Sequence, residues 1–345
     1  MTDHIETQVP TNSSKPNRQA PHPGSPSEVL ESATTLESSV VQDESRDFSI
    51  PAVEFRNVHF CFEDEEVLDG ISFTVMRGEI KIILSASGGG KSTILKLILG
   101  LLKPDEGEVL IEGEDITNYD ESQLKPCRDK IGVVFQEGGL FDSLSVYDNV
   151  AYRPHEEGEA EEKIEKEVRL LLRFVDLEKE IDKLPSELSI GMQKRVSIAR
   201  ALVGNPSIVL FDEPTVALDP PTAATISELI IRLRDLENIA SILVTHEMDT
   251  VKYITTAYAD ISKKGEVIVK EEGDKFCLSN TKILMLRESR VIFSGTNEEF
   301  VQSEDPYIQK FISGTELELR GNRAKREKAK DKHSEKEYSQ AKATE

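Results

Sequence analysis

Tryptophan is absent from this chain of 345 residues, and cysteine is nearly so, at Cys61, Cys127 and Cys277 only. Three thiols at that spacing make neither a disulfide framework nor a set of zinc ligands, so a reducing compartment is the simpler expectation. Long apolar runs are also missing. A bilayer-spanning helix needs about 18 or more consecutive apolar residues, and no such stretch exists, so any work at a membrane must come through partners. The first residues lack the basic region and apolar core of a secretory leader. Positive charge is the scarcer sign: 42 Lys and Arg stand against 64 Asp and Glu, a formal net charge of -22. That balance disfavours a nucleic-acid binder whose main surface tracks phosphates, although a local basic patch remains compatible with it.

Hydrophobic residues make up 38% of the chain, enough for a substantial core once the polar ends are set aside. Residues 1–48 are rich in Ser, Thr, Pro, Glu and Asp without periodicity and read as disordered. Residues 50–315 read as one domain, and 316–345 as a charged, disordered tail. The tail holds a basic stretch, Arg323 to Lys332, which reads as solvated; contact with anionic lipid headgroups is the sharper alternative. Inside the domain, Val53–Phe60 alternates like a strand. Val67-Leu68 and Ile71–Val75 follow, then the apolar run Ile80–Leu84. Pro104–Glu108 reads as a turn before a short strand at Val109–Ile111. Ile164, Val168, Leu171, Leu172, Val175 and Leu177 give residues 159–179 an amphipathic helical pattern. Ser207–Phe211 and Ala240–Thr245 are buried strands joined by a helix from Thr222 to Leu236. Short apolar strands alternating with helices imply a mostly parallel α/β core.

The most informative stretch is Ser85-Ala86-Ser87-Gly88-Gly89-Gly90-Lys91-Ser92-Thr93. Strand, glycine-rich turn, lysine-hydroxyl and helix form the pattern of a nucleotide phosphate-binding loop. Amides at a helix N-terminus attract anions, Lys91 reaches the β- and γ-phosphates, and the Ser92 hydroxyl suits Mg2+. Ser85 through Thr93 are therefore candidate ligands of ATP. Ser85 stands where the pattern has its first glycine, which works only if the backbone there does not need a positive φ. A second strand ends in Leu210-Phe211-Asp212-Glu213. Alone, such a pair is more often a cap or turn. Beside a phosphate loop, Asp212 is the candidate Mg2+ ligand, and Glu213 the candidate base that polarises a water.

These motifs resemble the ATPase subunit of ATP-binding cassette (ABC) transporters. Leu188-Ser189-Ile190-Gly191-Met192-Gln193-Lys194-Arg195 is similar to that family's signature motif, with Ile190 in place of a glycine. The resemblance implies that Ser189 and Gly191 bind the γ-phosphate held by a second subunit, so that a homodimer sandwiches two ATP. It implies a loop at Gln136 that touches Mg2+ and leads to a permease, a switch histidine at His246, and Asp219 crossing the dimer interface, after Ala217 where glycine is common. Phe62 is the implied ring on adenine, with Phe60 as the competing ring. The catalytic set is then Glu213, His246, Lys91 and Gln136, and the metal set Ser92, Gln136 and Asp212. The implied fold is an α/β P-loop NTPase core of ABC ATPase type, with an antiparallel β subdomain and a helical signature-motif subdomain at about 137–200.

Within the family, Phe135 to Val150, containing Leu140-Phe141-Asp142-Ser143-Leu144, resembles the Mla-type phospholipid-transport ATPases. That likeness implies a polytopic permease dimer, an MCE-type substrate-binding protein and a small STAS-domain protein as partners. It also implies a peripheral site on the cytoplasmic face of the inner membrane. Phe141 and Leu144 are candidate knobs for the permease, or simply core of the helical subdomain. A departure from the family lies at about 261–281, read as an inserted β-hairpin of Gly265–Lys270 with Phe276–Leu278, closed near Glu271–Asp274. Three rivals remain open. A small-molecule importer shares every nucleotide motif. A non-transport ATPase usually has two cassettes or a coiled-coil insertion, and neither is seen. A weakly active binding subunit is suggested by Ser85 and Ile190, but the charged groups of the site are all present.

Overall fold

The computed structural model describes residues 49–63, 65–86, 88–262, 267–271 and 280–313. The two ends, 1–48 and 314–345, lie outside the described residues, as do Ser87 and the Phe276–Leu278 segment of the expected hairpin.

Two sheets organise the domain. The first is antiparallel, in the order β2-β1-β4-β5, from β1 (Val53–Phe62), β2 (Glu65–Val75), β4 (Glu106–Ile111) and β5 (Glu114–Asp115). The alternation of β1 sends Val53, Phe55, Val58 and Phe60 inward, and Phe55 stacks on Phe73 with ring centroids 4.6 Å apart. The stretch Pro104–Glu108 is only half a turn. Glu106 to Glu108 already belong to β4, paired with β1 and helped by an ion pair between Arg56 and Glu108 at 3.2 Å. The turn ends at Asp105, whose backbone N–H donates to His59 O at 2.9 Å.

The second sheet has six strands in the order β12-β11-β3-β8-β7-β6: β3 (Ile80–Ser85), β6 (Ile131–Val134), β7 (Ile208–Asp212), β8 (Ala240–Thr245), β11 (Thr281–Arg287) and β12 (Arg290–Gly295). It is parallel from β11 to β6, with β12 as an antiparallel edge. Every residue of β3 and β8 is buried, as expected for strands covered on both faces. Helices α1 (Lys91–Ile98), α2 (Glu121–Arg128), α6 (Pro220–Glu237), α7 (Met248–Thr256), α8 (Asn297–Val301) and α9 (Pro306–Ile312) accompany the sheets. A helical layer, α3 (Val146–Glu156), α4 (Glu161–Phe174) and α5 (Ile190–Leu202), is inserted between β6 and β7. All six apolar positions expected between Ile164 and Leu177 are buried there.

Of the expected insertion, the described part is one strand that pairs with the segment before it. β10 (Val267–Glu271) pairs antiparallel with β9 (Ala257–Ile261), while the expected closure at 272–274 and the Phe276–Leu278 strand lie outside the described residues. Side chains on the outer face favour this register. Lys270 forms an ion pair with Asp260 and lies over the Tyr258 ring at 5.9 Å.

Strand order fixes where the chemistry sits. β3, β8 and β7 are neighbours, with Leu84 beside Thr245 and Asp212 beside Val244. Their carboxyl ends therefore bring the phosphate loop, His246 and the Asp212-Glu213 pair to one rim of the sheet.

Candidate nucleotide-binding site

The chain leaves β3 at Ser85 and re-enters a helix at Lys91 through a tight turn. Gly88 and Gly90 take φ of 81° and 87°, and Gly90 is the N-cap of α1. A side chain at Gly90 would meet Leu68 Cδ2 at 2.8 Å and Val67 O at 3.2 Å, so glycine is required twice over. Ser85, by contrast, is the last residue of the extended strand and is not left-handed, which meets the condition for a serine. It is fully buried, and its hydroxyl donates to Ala86 O at 3.0 Å. Gly89 packs against it so closely that a Cβ would lie 2.5 Å from Ser85 Oγ.

Lys91 Nζ donates to Ser85 O at 2.9 Å and lies 3.7 Å from Glu213 Oε1. Burial pushes its pKa down, and the neighbouring Glu213 and Asp212 charges push the other way. Thr93 is buried in α1, and Ser92 is exposed at its first turn.

Glu213 has a left-handed backbone, φ 46°, and its N–H donates to Val244 O at 3.0 Å. Holding a non-glycine residue there costs about 1–2 kcal/mol, and such strain is concentrated at functional positions. The buried carboxylate is turned toward His246: Nδ1 lies 2.8 Å from Oε1, and the His246 backbone N–H donates to Oε2 at 3.3 Å. Asp212 next to it has its pKa raised, first by burial and then by the Glu213 charge. A divalent cation would relieve that arrangement, so Asp212 and the exposed Ser92 hydroxyl are a donor set that fits Mg2+.

Gln136 follows β6 with its side chain exposed. The backbone around it is gripped from α5: Lys194 Nζ donates to Phe135 O at 3.0 Å and to Gln136 O, and Ser197 Oγ donates to Gly138 O at 2.7 Å. Ser189 is the N-cap of α5, accepting from Met192 N at 3.2 Å. Gly191 presses on α6, where a Cβ would lie 2.3 Å from Thr222 Cγ2. Asp219 is exposed and caps α6 through Thr222, accepting from its N at 3.3 Å and its hydroxyl at 2.8 Å. Those hydrogen bonds lower the Asp219 pKa. Of the two competing rings, Phe60 is 7% exposed and Phe62 47%, packed edge-to-face at 4.8 Å.

The rim thus gathers Ser85, Lys91, Asp212, Glu213 and His246. Gly191 and Asp219 form a second cluster around Thr222, with Ser189 two residues before Gly191 at the cap of α5. Among the described residues no hydrogen bond or ion pair joins it to the phosphate loop. Phe62 stands apart on the antiparallel sheet. Sequence reasoning missed Lys194 and Ser197. No local pattern marks them, because their partners lie 58 and 59 residues earlier in the chain.

A parallel sheet with a glycine-rich loop between β3 and α1, facing paired carboxylates, defines a phosphate-loop nucleotide hydrolase. The family model described as ABC transporter matches residues 68–216. The intermembrane phospholipid transport system ATP-binding protein MlaF of Haemophilus influenzae is 34% identical over 263 residues, covering 76% of this chain and 90% of that protein. The methionine import ATP-binding protein MetN of Rhizobium meliloti is 41% identical over 209 residues, covering 61% of this chain; the chain spans 58% of that relative's length. An ATP-binding cassette solved as a dimer in a post-hydrolysis state, bound to ADP and Pi, is 30% identical with a TM-score of 0.58. That match covers 71% of this chain and 98% of the other. The chain belongs to the ATP-binding subunits of ABC transporters, and it is an ATPase. Its relatives include both phospholipid and methionine systems.

Proposed function

We propose that two copies of this chain sandwich ATP and Mg2+ and drive a permease by closing on ATP and opening after hydrolysis. The observation that carries this reading is Glu213 after β7, 2.8 Å from His246 after the adjacent β8 and 3.7 Å from Lys91 at the start of α1. In the proposed reaction, Glu213 accepts a proton from the attacking water. The new bond forms at the γ-phosphorus as its bond to the bridging oxygen breaks, leaving ADP and phosphate. Lys91 and the loop amides from Ser85 to Thr93 hold the phosphates, and His246 holds the γ-phosphate and orients Glu213. Ser92, Asp212 and Gln136 would hold Mg2+, which would neutralise phosphate charge. Phe62 offers its exposed ring to adenine. In the proposed homodimer, supported by the relative solved as a dimer, the exposed Ser189 and Asp219 and the neighbouring Gly191 meet the second subunit.

Two cargo readings have distinct support. Small-molecule import is favoured by the higher identity of the methionine relatives, 41% and 39% against 34%. Phospholipid transport, with an MCE-type protein and a STAS-domain protein, is favoured by the greater length matched to the phospholipid relative. In either case the partner is a polytopic permease dimer, and the subunit is peripheral at the cytoplasmic face of the inner membrane. No helix among the described residues is long and apolar enough to cross a membrane. The test is purification of the complex from native membranes, with partners read by mass spectrometry and ATPase stimulation read with each candidate cargo. Phospholipid and an MCE protein carry the second reading; a small-molecule-binding protein carries the first. A chain that hydrolyses ATP but recovers no permease would overturn both.

A further inference from the structure

A lysine almost never lies fully buried unless it is paired, yet Lys194 is 3% exposed. It sits on α5, in the second turn after the Ser189 cap. Among the described residues its ammonium pairs with no carboxylate. It donates to two consecutive carbonyls, those of Phe135 and Gln136, 59 and 58 residues earlier in the chain. One turn along the same face, Ser197 donates to Gly138 O at 2.7 Å, and a Cβ on Gly138 would lie 3.2 Å from that hydroxyl. Two side chains of α5 therefore grip three carbonyls of the segment that presents Gln136. Burial lowers the Lys194 pKa, while the charges of Asp212 and Glu137 push it up, so the ammonium also feels the carboxylate at the end of β7.

We infer that Lys194 is a positioning residue that couples the helix beginning at Ser189 to Gln136, and through it to the metal and phosphates. The inference rests on the reading of Gln136 given above. The geometry carries it in three steps. Carbonyls bonded to a buried ammonium move with it. The ammonium is fixed to α5, whose N-terminus carries Ser189. Any rotation of that helix relative to the parallel sheet must then shift the backbone of Gln136, while a relaxed loop could ignore it. Lys194 touches no substrate in this scheme. It sets the distance at which Gln136 meets the site.

The test is a double-mutant cycle on the full chain, with ATPase kinetics and thermal midpoints for Lys194→Met, Gln136→Ala and the pair. A misplacement of the reacting groups by about 1 Å costs up to about 100-fold in rate. Lys194→Met is expected to lower kcat roughly 10- to 100-fold, with KM for ATP within about twofold. The pair should then be no slower than the slower single variant. If Lys194 only stabilises the fold, the thermal midpoint falls while kcat per folded molecule stays at wild type, and the inference is overturned. Multiplied losses beside a slow Gln136→Ala overturn this inference alone. A Gln136→Ala variant at full rate overturns the reading of Gln136 and this inference with it. Should Lys194→Met not fold, Ser197→Ala removes a single hydroxyl and enters the same cycle, with a roughly two- to fivefold fall in kcat expected.

Discussion

Replacing Glu213 with Gln isolates the charge of the proposed base from its shape. The amide has nearly the same volume, so the buried pocket stays filled. Its oxygen still accepts from the His246 backbone N–H, now 3.3 Å from Oε2. The positive φ of 46° is the same problem for either residue. What disappears is proton acceptance and the negative charge 3.7 Å from Lys91, which keeps Asp212 as a second neighbouring charge. Loss of a positioned general base costs about 10²- to 10⁴-fold, or about 3–5 kcal/mol in the barrier. ATP affinity should hold or increase, because one negative charge near the γ-phosphate is gone. Phosphate release at saturating ATP and Mg2+ gives kcat. Size-exclusion chromatography with light scattering should show an ATP-trapped dimer. Unchanged kcat would refute the assignment of the base. A raised KM at unchanged kcat would instead make Glu213 a binding residue only.

The phosphate loop and the metal site supply two further expectations. Gly90→Ala forces a left-handed alanine, at about 1–2 kcal/mol, against the Leu68 side chain 2.8 Å away. It should lower the thermal midpoint and abolish ATP binding by calorimetry, and full binding would contradict the close packing of the loop. Asp212→Asn should stabilise the nucleotide-free protein at neutral pH while removing Mg2+-dependent hydrolysis. The sign follows from the raised pKa of Asp212. The folded state keeps a proton that the unfolded chain has released, so wild-type stability falls as pH rises from about 4 through the folded pKa and is level above it. Urea midpoints across that range should show a shallower fall for the variant, and a variant less stable at pH 7 would oppose the argument.

The parts of the site legible in the sequence are the ones carried by adjacent residues. The loop from Ser85 to Thr93 and the pair Asp212-Glu213 follow apolar runs, and an apolar run predicts a strand end whatever the rest of the chain does. Alternating strands and helices imply a parallel sheet with its loops at one rim, but that β3, β8 and β7 are neighbours there is visible only in the structure. Contacts made across long separations were not legible. Lys194 reads as one more charge in Gln193-Lys194-Arg195 until the segment after β6 arrives and buries it. The β9–β10 pairing was missed because Ala257-Tyr258-Ala259-Asp260-Ile261 has little strand signal of its own. Its register depends on Lys270 meeting Tyr258 and Asp260. The choice between Phe60 and Phe62 was open because β1 loses its strict alternation at register shifts between Val58 and Cys61.

The two departures from the family pattern, Ser85 and Ile190, act at different places, and this separates their consequences. Ser85 lies inside the subunit, extended, buried and hydrogen-bonded to Ala86 O, so the loop is built around it. Ile190 is the first residue of α5 and is 62% exposed, so the fold of the single chain gains little from it. Beside it, Ser189 and the buried Gly191 keep the helix start in place against Thr222. In the proposed dimer, that exposed β-branched side chain faces the phosphate of the other subunit, where a glycine would let the backbone approach. Its cost therefore falls on closure of the dimer and not on ATP binding by one subunit. Ile190→Gly should raise kcat while leaving ATP affinity of the isolated chain unchanged. The glycine removes about 0.5–1 kcal/mol of helix stability at most, too little to mask a faster turnover. A slower enzyme with unchanged affinity would mean that Ile190 makes a favourable contact across the interface, and the comparison with glycine would lose its force.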